Sequence, residues 1–343
     1  MTLIPALAAA LLLGATALQA AEIGLRQITI DPDSSRPLDL TIWYPTDDSG
    51  PLETLGGNAA FYGVQVHPDA QPQAGRHPVI LLSHGYGGNW RNLNWLAGRL
   101  VPEGYVVAAP DHPGTTTFDR SPEQASRLWE RPRDLSRSLD AMLATPEFDG
   151  LLDPARVTAI GHSLGGWTVA ALAGARFDPV LFAQDCDTNP TLRTCELSEE
   201  LGLGDSRLGQ DLHDPRLAVF VTLDLGLARG FSADSLAQVD IPALVLGADI
   251  DIGGLPAVLE SGWLAAHLPA RSTQEETIPG TMHFSFIQRC KPGAEALLDA
   301  ETPGDGIICR DGYDRDRSAL HDEIARRISG FLSQSLPPRQ APD

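Results

Sequence analysis

Val157-Thr158-Ala159-Ile160-Gly161-His162-Ser163-Leu164-Gly165-Gly166-Trp167 joins a run of strand-forming residues to a serine that lies between two glycines. Small and apolar residues follow, from Val169 to Ala173, and predict a helix. This order of strand, sharp turn and helix matches the Gly-x-Ser-x-Gly nucleophile elbow. The two glycines are needed because side chains at Gly161 and Gly165 would clash with the neighbouring strand and helix. The segment therefore predicts that the Ser163 hydroxyl points outward from a strained turn.

Apolar runs alternate with helical patterns on both sides of this segment. The helical patterns include residues 133–144 and 318–332, each with an apolar face. Four runs are almost wholly apolar, as expected of strands buried on both faces: Val79–Leu82, Val106–Ala109, Leu217–Leu223 and Ala243–Leu246. The alternation predicts an α/β fold with a mostly parallel central sheet and helices on both faces. Ligands of such sheets bind beyond the carboxyl ends of the strands, where Ser163 is expected.

The ends of the chain and two internal segments depart from this rhythm. Residues 1–20 carry no charged side chain and predict a signal peptide cleaved near Ala20, with an uncleaved anchor as the alternative. One domain is expected over residues 21–336, with residues 177–215 as a small cap-like insertion and residues 337–343 as a disordered tail. Residues 23–44 predict an antiparallel hairpin at the sheet edge, followed by a long surface loop over residues 45–78.

The charge of the chain limits its partners. Its 343 residues carry a formal net charge of -20. Such an acidic chain is not expected to bind nucleic acid or anionic membrane surfaces. After the first twenty residues no segment is apolar and long enough to predict stable membrane insertion. The sequence does not predict an oligomeric state.

The four cysteines form two local pairs in sequence. An even number in an exported chain predicts two disulfides, of which three connectivities are possible. Cys186–Cys195 and Cys290–Cys309 are favoured because each would close a polar, loop-like segment. Buried free thiols remain the alternative. No Cys/His spacing resembles a zinc site, so no metal is expected, and we expect a secreted or periplasmic protein.

A nucleophilic serine requires partners further along the chain. It needs a base within hydrogen-bond reach, and the base needs an orienting carboxylate. In this kind of fold the expected chain order is Ser, then Asp or Glu, then His. His283 is the predicted base because it lies in a turn after the last predicted strand, whereas His267 and His321 lie on predicted helices.

Three aspartates are candidates for the acid. Asp251 follows the penultimate predicted strand, within Gly247-Ala248-Asp249-Ile250-Asp251, and is the favoured residue. Asp224 ends the strand before it and is the main alternative, and Asp249 is the third. Either strand end could present a carboxylate to His283.

The remaining site residues are predicted from their neighbours. The oxyanion hole needs two backbone donors, expected to be the N–H groups of Leu164 and Tyr86. The other candidates surround the predicted substrate pocket: His84, Gly85, His162 and Trp167. For His84 a hydrogen bond that braces the loop is preferred, and for Trp167 a place in the core is equally open. Asp111 and His112 are expected in a turn and in the pocket wall.

Taken together, these residues resemble the α/β-hydrolase superfamily. The resemblance extends over roughly residues 24–332. Within the superfamily the chain is most similar to the bacterial group of predicted dienelactone hydrolases, which is related to the platelet-activating-factor acetylhydrolases. Four segments carry this similarity: Ser83–Gly88, Ala108–Gly114, Gly161–Gly166 and Pro279–Phe286. It implies a serine esterase that cleaves carboxylic esters of small molecules, lipids or polymers through an acyl-enzyme, without a cofactor. True dienelactone hydrolases use a cysteine where this chain has Ser163.

The resemblance also bears on the acid and on rival functions. The segment from Gly247 to Asp251 is similar to the acid motif of bacterial cutinase-like polyesterases, which supports Asp251. The acetylhydrolases carry their acid one strand earlier, in a Leu-Asp motif similar to Leu223-Asp224. Two rivals remain: a peptidase or amidase with the same triad, and a catalytically silent hydrolase fold that acts as a binding module.

Overall fold

A computed structural model describes residues 21–336 of the protein. The predicted signal peptide and the predicted disordered tail lie outside the described residues. Ten strands form one sheet: β1 (Glu22–Ile30), β2 (Leu38–Thr46), β3 (Glu53–Leu55), β4 (Val64–Pro68), β5 (His77–Ser83), β6 (Val106–Pro110), β7 (Leu152–His162), β8 (Leu217–Leu223), β9 (Ala243–Gly247) and β10 (Thr273–Thr277).

The α-helices alternate with the strands from β5 onward. Their bounds are α1 (Asn94–Leu100), α2 (Pro122–Ala125), α3 (Glu130–Ala144), α4 (Leu164–Leu172), α5 (Pro179–Thr188), α6 (Arg193–Glu196), α7 (Ala233–Leu236), α8 (Ser261–His267), α9 (Ala294–Glu301) and α10 (Arg317–Ser335). None of the helices between residues 21 and 336 combines the length and the hydrophobicity needed to span a bilayer.

The sheet is mostly parallel, as the sequence predicts. Its spatial order is β10-β9-β8-β7-β5-β6-β2-β1-β4-β3, and the strands from β5 to β10 run parallel. The chain passes from β5 to β6 on one side and then returns to place β7 on the other side of β5. The loops after β5 and β7 therefore leave a crevice at the carboxyl edge of the sheet, which is where ligands bind in open α/β sheets.

Side chains alternate between two cores, one on each face of the sheet. On β5, Val79 and Leu81 enter the first core, and Ile80 and Leu82 enter the second. The first core also contains apolar residues of α3 and α4, whereas the second contains those of α1 and α10. Helices thus cover both faces, which confirms the predicted fold class.

The predictions for the first strands need correction. β1 and β2 do form an antiparallel pair, but the pair is not at the sheet edge, because β4 pairs with β1 and β3 pairs with β4. The predicted loop over residues 45–78 therefore contains two strands. β3 is exposed or half-buried throughout, so it lacks the apolar alternation that marks a strand in sequence.

Both predicted disulfides are present. Cys186 and Cys195 join α5 to α6, with their Cα atoms 5.5 Å apart. Cys290 and Cys309 are also bonded, with their Cα atoms 5.6 Å apart. The second bond closes the segment that begins directly after the turn carrying His283.

We predict that the Cys290→Ser/Cys309→Ser double variant is less stable than the wild type. The bond spans 19 positions, and closing a loop of this size stabilises a fold by about 3 kcal/mol through the entropy of the unfolded chain. Denaturant melts of the oxidised wild type and the double variant measure the difference. The Cys186→Ser/Cys195→Ser variant, whose bond spans 9 positions, is the matched control and should lose somewhat less. Equal unfolding free energies for the wild type and the first variant would contradict the prediction.

Candidate active site

Ser163 occupies the sharp turn between β7 and α4. Its backbone angles are φ 55° and ψ -120°, in a region that residues other than glycine avoid. The turn is fixed at both ends, since the Ser163 N–H donates to the Leu223 carbonyl at 3.0 Å and its own carbonyl accepts from the Gly166 N–H at 2.9 Å. Ser163 is only partly buried, at the carboxyl end of β7 where the crevice opens.

The two glycines around the serine permit close backbone contacts. A Cβ atom on Gly161 would lie 2.0 Å from the carbonyl oxygen of Gly165, and one on Gly165 would lie 1.9 Å from the carbonyl oxygen of Ser83. Neither position can carry a side chain. Gly85 is also close to the serine, because its Cβ would lie 3.1 Å from the Ser163 Cβ. The loop after β5 therefore lies directly beside the nucleophile candidate.

His283 begins a short 3-10 turn after β10 and is hydrogen-bonded to the carboxylate of Asp224. Its Nδ1 atom lies 2.6 Å from Asp224 Oδ2, and both residues are buried. The other oxygen of Asp224 accepts from the Ala248 N–H at 2.9 Å, which fixes the carboxylate at the end of β8. An imidazole that donates through Nδ1 presents Nε2 as an acceptor, which is the form that a general base requires.

This geometry corrects the preference for Asp251. Asp251 is exposed, and its Oδ1 atom accepts from the Ala257 N–H at 2.8 Å. Asp249 is exposed as well, and it accepts from the Gly280 N–H at 2.9 Å. The physical reason is the strand order: β8 lies next to β7, so the residue that follows β8 is beside Ser163. Asp251 lies four positions beyond β9, and its carboxylate is used within its own exposed segment.

His84 and His162 brace the site and do not line a pocket. His162 is 3% exposed, and its Nε2 atom lies 2.9 Å from the His283 carbonyl oxygen. His84 is 2% exposed, donates through Nδ1 to the Gly85 carbonyl at 2.7 Å, and accepts from the His112 N–H at 3.1 Å. Burial lowers the pKa of both rings well below the usual value, so they remain neutral. The preferred bracing role of His84 agrees with these contacts.

Trp167 belongs to the core. It has no exposed surface and stacks on Phe231 with ring centroids 5.9 Å apart. The prediction that it lines the substrate pocket is therefore wrong. Asp111 lies in a turn as expected, where its Oδ1 atom accepts from the Trp90 N–H at 2.6 Å. Burial raises the pKa of Asp111 to about 6.

The two predicted oxyanion donors lie on the elements that meet at the serine. Leu164 is the first residue of α4, and the first N–H groups of a helix have no partner within it. Tyr86 lies between fixed neighbours, because the Gly87 N–H donates to the Thr115 carbonyl at 2.9 Å and the Gly88 N–H donates to the Gly85 carbonyl at 3.1 Å. Two N–H groups at a helix start and an adjacent loop can stabilise a developing negative charge.

No sequence pattern predicted the contact between Tyr86 and residues 177–215. The Tyr86 hydroxyl donates to the carboxylate of Glu200, and the Arg120 guanidinium lies 5.5 Å from the centre of the tyrosine ring. Burial and this carboxylate raise the pKa of Tyr86 to about 12. Residues 177–215 therefore contact the side chain of Tyr86, whose backbone N–H is one of the predicted oxyanion donors.

The support of the His283 turn by α10 was not predictable from the sequence pattern either. His321 on α10 is buried, and its Nε2 atom lies 3.1 Å from the Ser285 carbonyl oxygen and 3.0 Å from that of Ile287. Its ring stacks on Trp95 at 3.7 Å, and the Trp95 indole donates to the Phe286 carbonyl at 3.0 Å. The helical pattern marked His321 only as an ordinary surface or packing position, because its partners come from a distant turn.

The sequence also matches known proteins. The model of the alpha/beta hydrolase family matches residues 79–337. A cutinase from Thermobifida alba is 34% identical over 102 residues, which are 29% of this chain and 31% of that protein. A bis(hydroxyethyl) terephthalate hydrolase from Streptomyces coelicolor is 27% identical over 116 residues, 34% of each chain. The matches span about a third of the length of these curated relatives.

One solved structure extends the comparison to nearly the whole chain. A ferulic acid esterase from Streptomyces cinnamoneus superposes with a TM-score of 0.63 and covers 95% of this chain and 93% of its own, at 18% sequence identity. At this identity the likeness shows a shared fold.

We predict that His321 makes folding sensitive to acid. Burial, reinforced by the positive charge of Arg317, lowers the pKa of His321 to about 3. The unfolded chain takes up this proton near pH 6.5 and the folded chain does not, so stability is lost as the pH falls below about 6.5. From pH 7 to pH 5 this residue should cost roughly 2 kcal/mol.

The His321→Gln variant should therefore lose less unfolding free energy over that pH range than the wild type does, as measured by denaturant melts at each pH. His213→Gln is the matched control, because His213 is exposed, and it should keep the wild-type pH dependence. The same pH dependence in all three proteins would refute the prediction.

Proposed function

Because the chain belongs to the alpha/beta hydrolase family, we propose that it hydrolyses carboxylic esters through an acyl-enzyme on Ser163. The observation that carries the proposal is the 2.6 Å hydrogen bond between His283 and Asp224 beside the strained Ser163 turn. The partial matches to a cutinase and to a bis(hydroxyethyl) terephthalate hydrolase support an ester as substrate.

In this mechanism Ser163 Oγ attacks the ester carbonyl while His283 Nε2 accepts its proton. Asp224 keeps the imidazole in the productive tautomer and stabilises the imidazolium that forms. The N–H groups of Leu164 and Tyr86 donate to the oxyanion of the tetrahedral intermediate. His283 then protonates the leaving alcohol, and a water molecule, deprotonated by the same histidine, cleaves the acyl-enzyme. No step requires a metal or a cofactor.

The position of the acid favours one substrate class as a second candidate. Asp224 follows β8, one strand before the position that the polyesterase-like motif implies. It therefore agrees with the acetylhydrolase resemblance, which implies lipid esters with a short acyl group. Hydrolysis rates would rank lipid, polymer and amide substrates. They should be measured on p-nitrophenyl esters of rising chain length, a phospholipid with an acetyl group, a polyester film and an anilide.

We also propose that the protein functions in the periplasm or outside the cell. The two disulfides support this location, because such bonds persist in oxidising compartments. The acidic composition supports a substrate that is neither a nucleic acid nor an anionic membrane surface.

Replacing the nucleophile tests the mechanism. Ser163→Ala should lower kcat by about three to six orders of magnitude, because the residual rate comes only from binding and the oxyanion hole. A fluorophosphonate probe should label the wild type at Ser163 and leave the variant unlabelled. The melting temperature should change little, since Ser163 is partly exposed. An esterase activity near that of the wild type in the folded variant would overturn the assignment.

Two aspartate variants test the acid side by side. In Asp224→Asn the amide can still accept from the Ala248 N–H, but its NH₂ group cannot accept the Nδ1 proton of His283. We expect kcat to fall by about four orders of magnitude with the fold retained.

Asp251→Asn is the matched control, because between residues 21 and 336 the Asp251 carboxylate accepts a hydrogen bond only from the Ala257 N–H. Its kcat should stay within about threefold of the wild type. Loss of turnover in Asp251→Asn, with Asp224→Asn active, would return the acid to the polyesterase-like position.

A further inference from the structure

We propose that Arg131 is a positioning residue that holds the two oxyanion donors, the N–H groups of Tyr86 and Leu164, in one geometry. This inference rests on the proposed function, since it assigns a role in stabilising the oxyanion of ester cleavage. Arg131 lies on α3, is 1% exposed, and has no place in the chemical steps described above. Its role follows from the atoms that its guanidinium group contacts.

The guanidinium group donates to four oxygen atoms from three parts of the fold: the end of β5 with the loop after it, the loop after β6, and α4. Nε donates to Thr168 Oγ1 at 2.9 Å, and Nη1 donates to Thr115 Oγ1 at 2.5 Å. Nη2 donates to the carbonyl oxygen of His84 and, at 3.3 Å, to Ser83 Oγ. The planar fork of an arginine can reach several acceptors in fixed directions, which a lysine ammonium on a flexible stem cannot do.

One arm of this fork fixes the loop after β5. The bonded His84 carbonyl lies two residues before Tyr86, whose N–H is the proposed donor. Thr115 fixes the other side of Tyr86, since its carbonyl accepts from the Gly87 N–H at 2.9 Å while its hydroxyl binds Arg131. Arg131 therefore holds the peptide group before this donor directly, through the His84 carbonyl, and the peptide group after it indirectly, through Thr115.

The other arm fixes the start of α4. Thr168 Oγ1 accepts from Arg131 Nε and donates to the Leu164 carbonyl at 2.9 Å. Leu164 supplies the second proposed donor. A single side chain thus connects the two segments that must lie on either side of the oxyanion, and a small change in their separation weakens a hydrogen bond that forms only in the transition state.

The chemistry of the four acceptors separates this role from an ordinary ion pair. All four bonds of Arg131 go to uncharged oxygens. Asp134, one turn along α3, binds Arg36 and His112. Burial lowers the pKa of Arg131 to about 9, which reflects the cost of enclosing its charge. Because Arg131 forms no ion pair within the described residues, charge pairing contributes little to its effect on stability. Its contribution is the fixed geometry of its hydrogen bonds.

The test compares Arg131→Lys, which keeps the charge and loses the fork, with Thr168→Val, which removes one link at nearly constant volume. Losing one oxyanion donor typically costs 10²–10³ in kcat, so a misplaced pair should cost about 10- to 100-fold in Arg131→Lys and about three- to tenfold in Thr168→Val. KM for a p-nitrophenyl ester should change less than about threefold. Affinity for a trifluoromethyl ketone, which forms a tetrahedral oxyanion on the serine, should fall by the same factor as kcat.

Arg26→Lys is the matched control, because Arg26 is also largely buried but pairs with Glu147 far from the serine. Its kcat and its ketone affinity should equal those of the wild type. If Arg131→Lys and Thr168→Val change only the melting temperature, Arg131 is a structural tie and the proposal is overturned. If Arg131→Lys does not fold, Thr168→Val decides by the same criterion.

A wild type that neither hydrolyses esters nor reacts with a fluorophosphonate would refute the proposed function itself, and this inference with it. An active wild type with unaffected Arg131→Lys and Thr168→Val variants refutes the positioning role alone. The two failures are therefore distinguishable.

Discussion

The contact between Gly165 and the carbonyl of Ser83 is the constraint on which the rest of the site depends. It brings the first turn of α4 against the end of β5, at a distance that excludes even a methyl group. Because β7 and α4 approach β5 so closely, Ser163 lies beside Gly85, and the proposed oxyanion donors of two separate elements face one crevice. The strain at Ser163 is the conformational cost of that approach, and the packed helix and strands around it keep the turn in place.

The site also shows why hydrogen-bond geometry alone does not define a catalytic group. Ser83, His112 and Asp134 form a second Ser-His-Asp arrangement, with both bonds 3.0 Å long. All three side chains have no exposed surface, so no ester carbonyl can reach that serine. Burial lowers the pKa of His112 well below its usual value and keeps the ring neutral. What distinguishes Ser163 from Ser83 is access from the crevice together with the strained turn.

The sequence predicted most of what depends on local pattern. The elbow, the buried strands and both disulfides were recoverable, because glycine spacing, apolar runs and short cysteine separations are local signals. The choice between Asp224 and Asp251 was not, since both follow a strand and only the order of strands in the sheet brings one of them to His283. Strand β3 was missed because it is exposed or half-buried and carries no apolar alternation. The sequence left Trp167 open between the core and the pocket, and its contact with Phe231, 64 positions further on, decides for the core.

Residues 177–215 contact two segments that border Ser163, which links them to the geometry of the proposed oxyanion hole. Glu200 accepts a hydrogen bond from the hydroxyl of Tyr86, and Arg131 donates to the His84 carbonyl of the same loop. The second contact is at Gly226, where a Cβ would lie 3.4 Å from the Thr194 methyl and whose N–H donates to the Ser163 carbonyl at 3.4 Å. Cys195 lies between Thr194 and Glu200 in sequence, and its disulfide to Cys186 ties this part of the segment to α5. A substitution in this segment can therefore shift the backbone N–H groups proposed to stabilise the transition state.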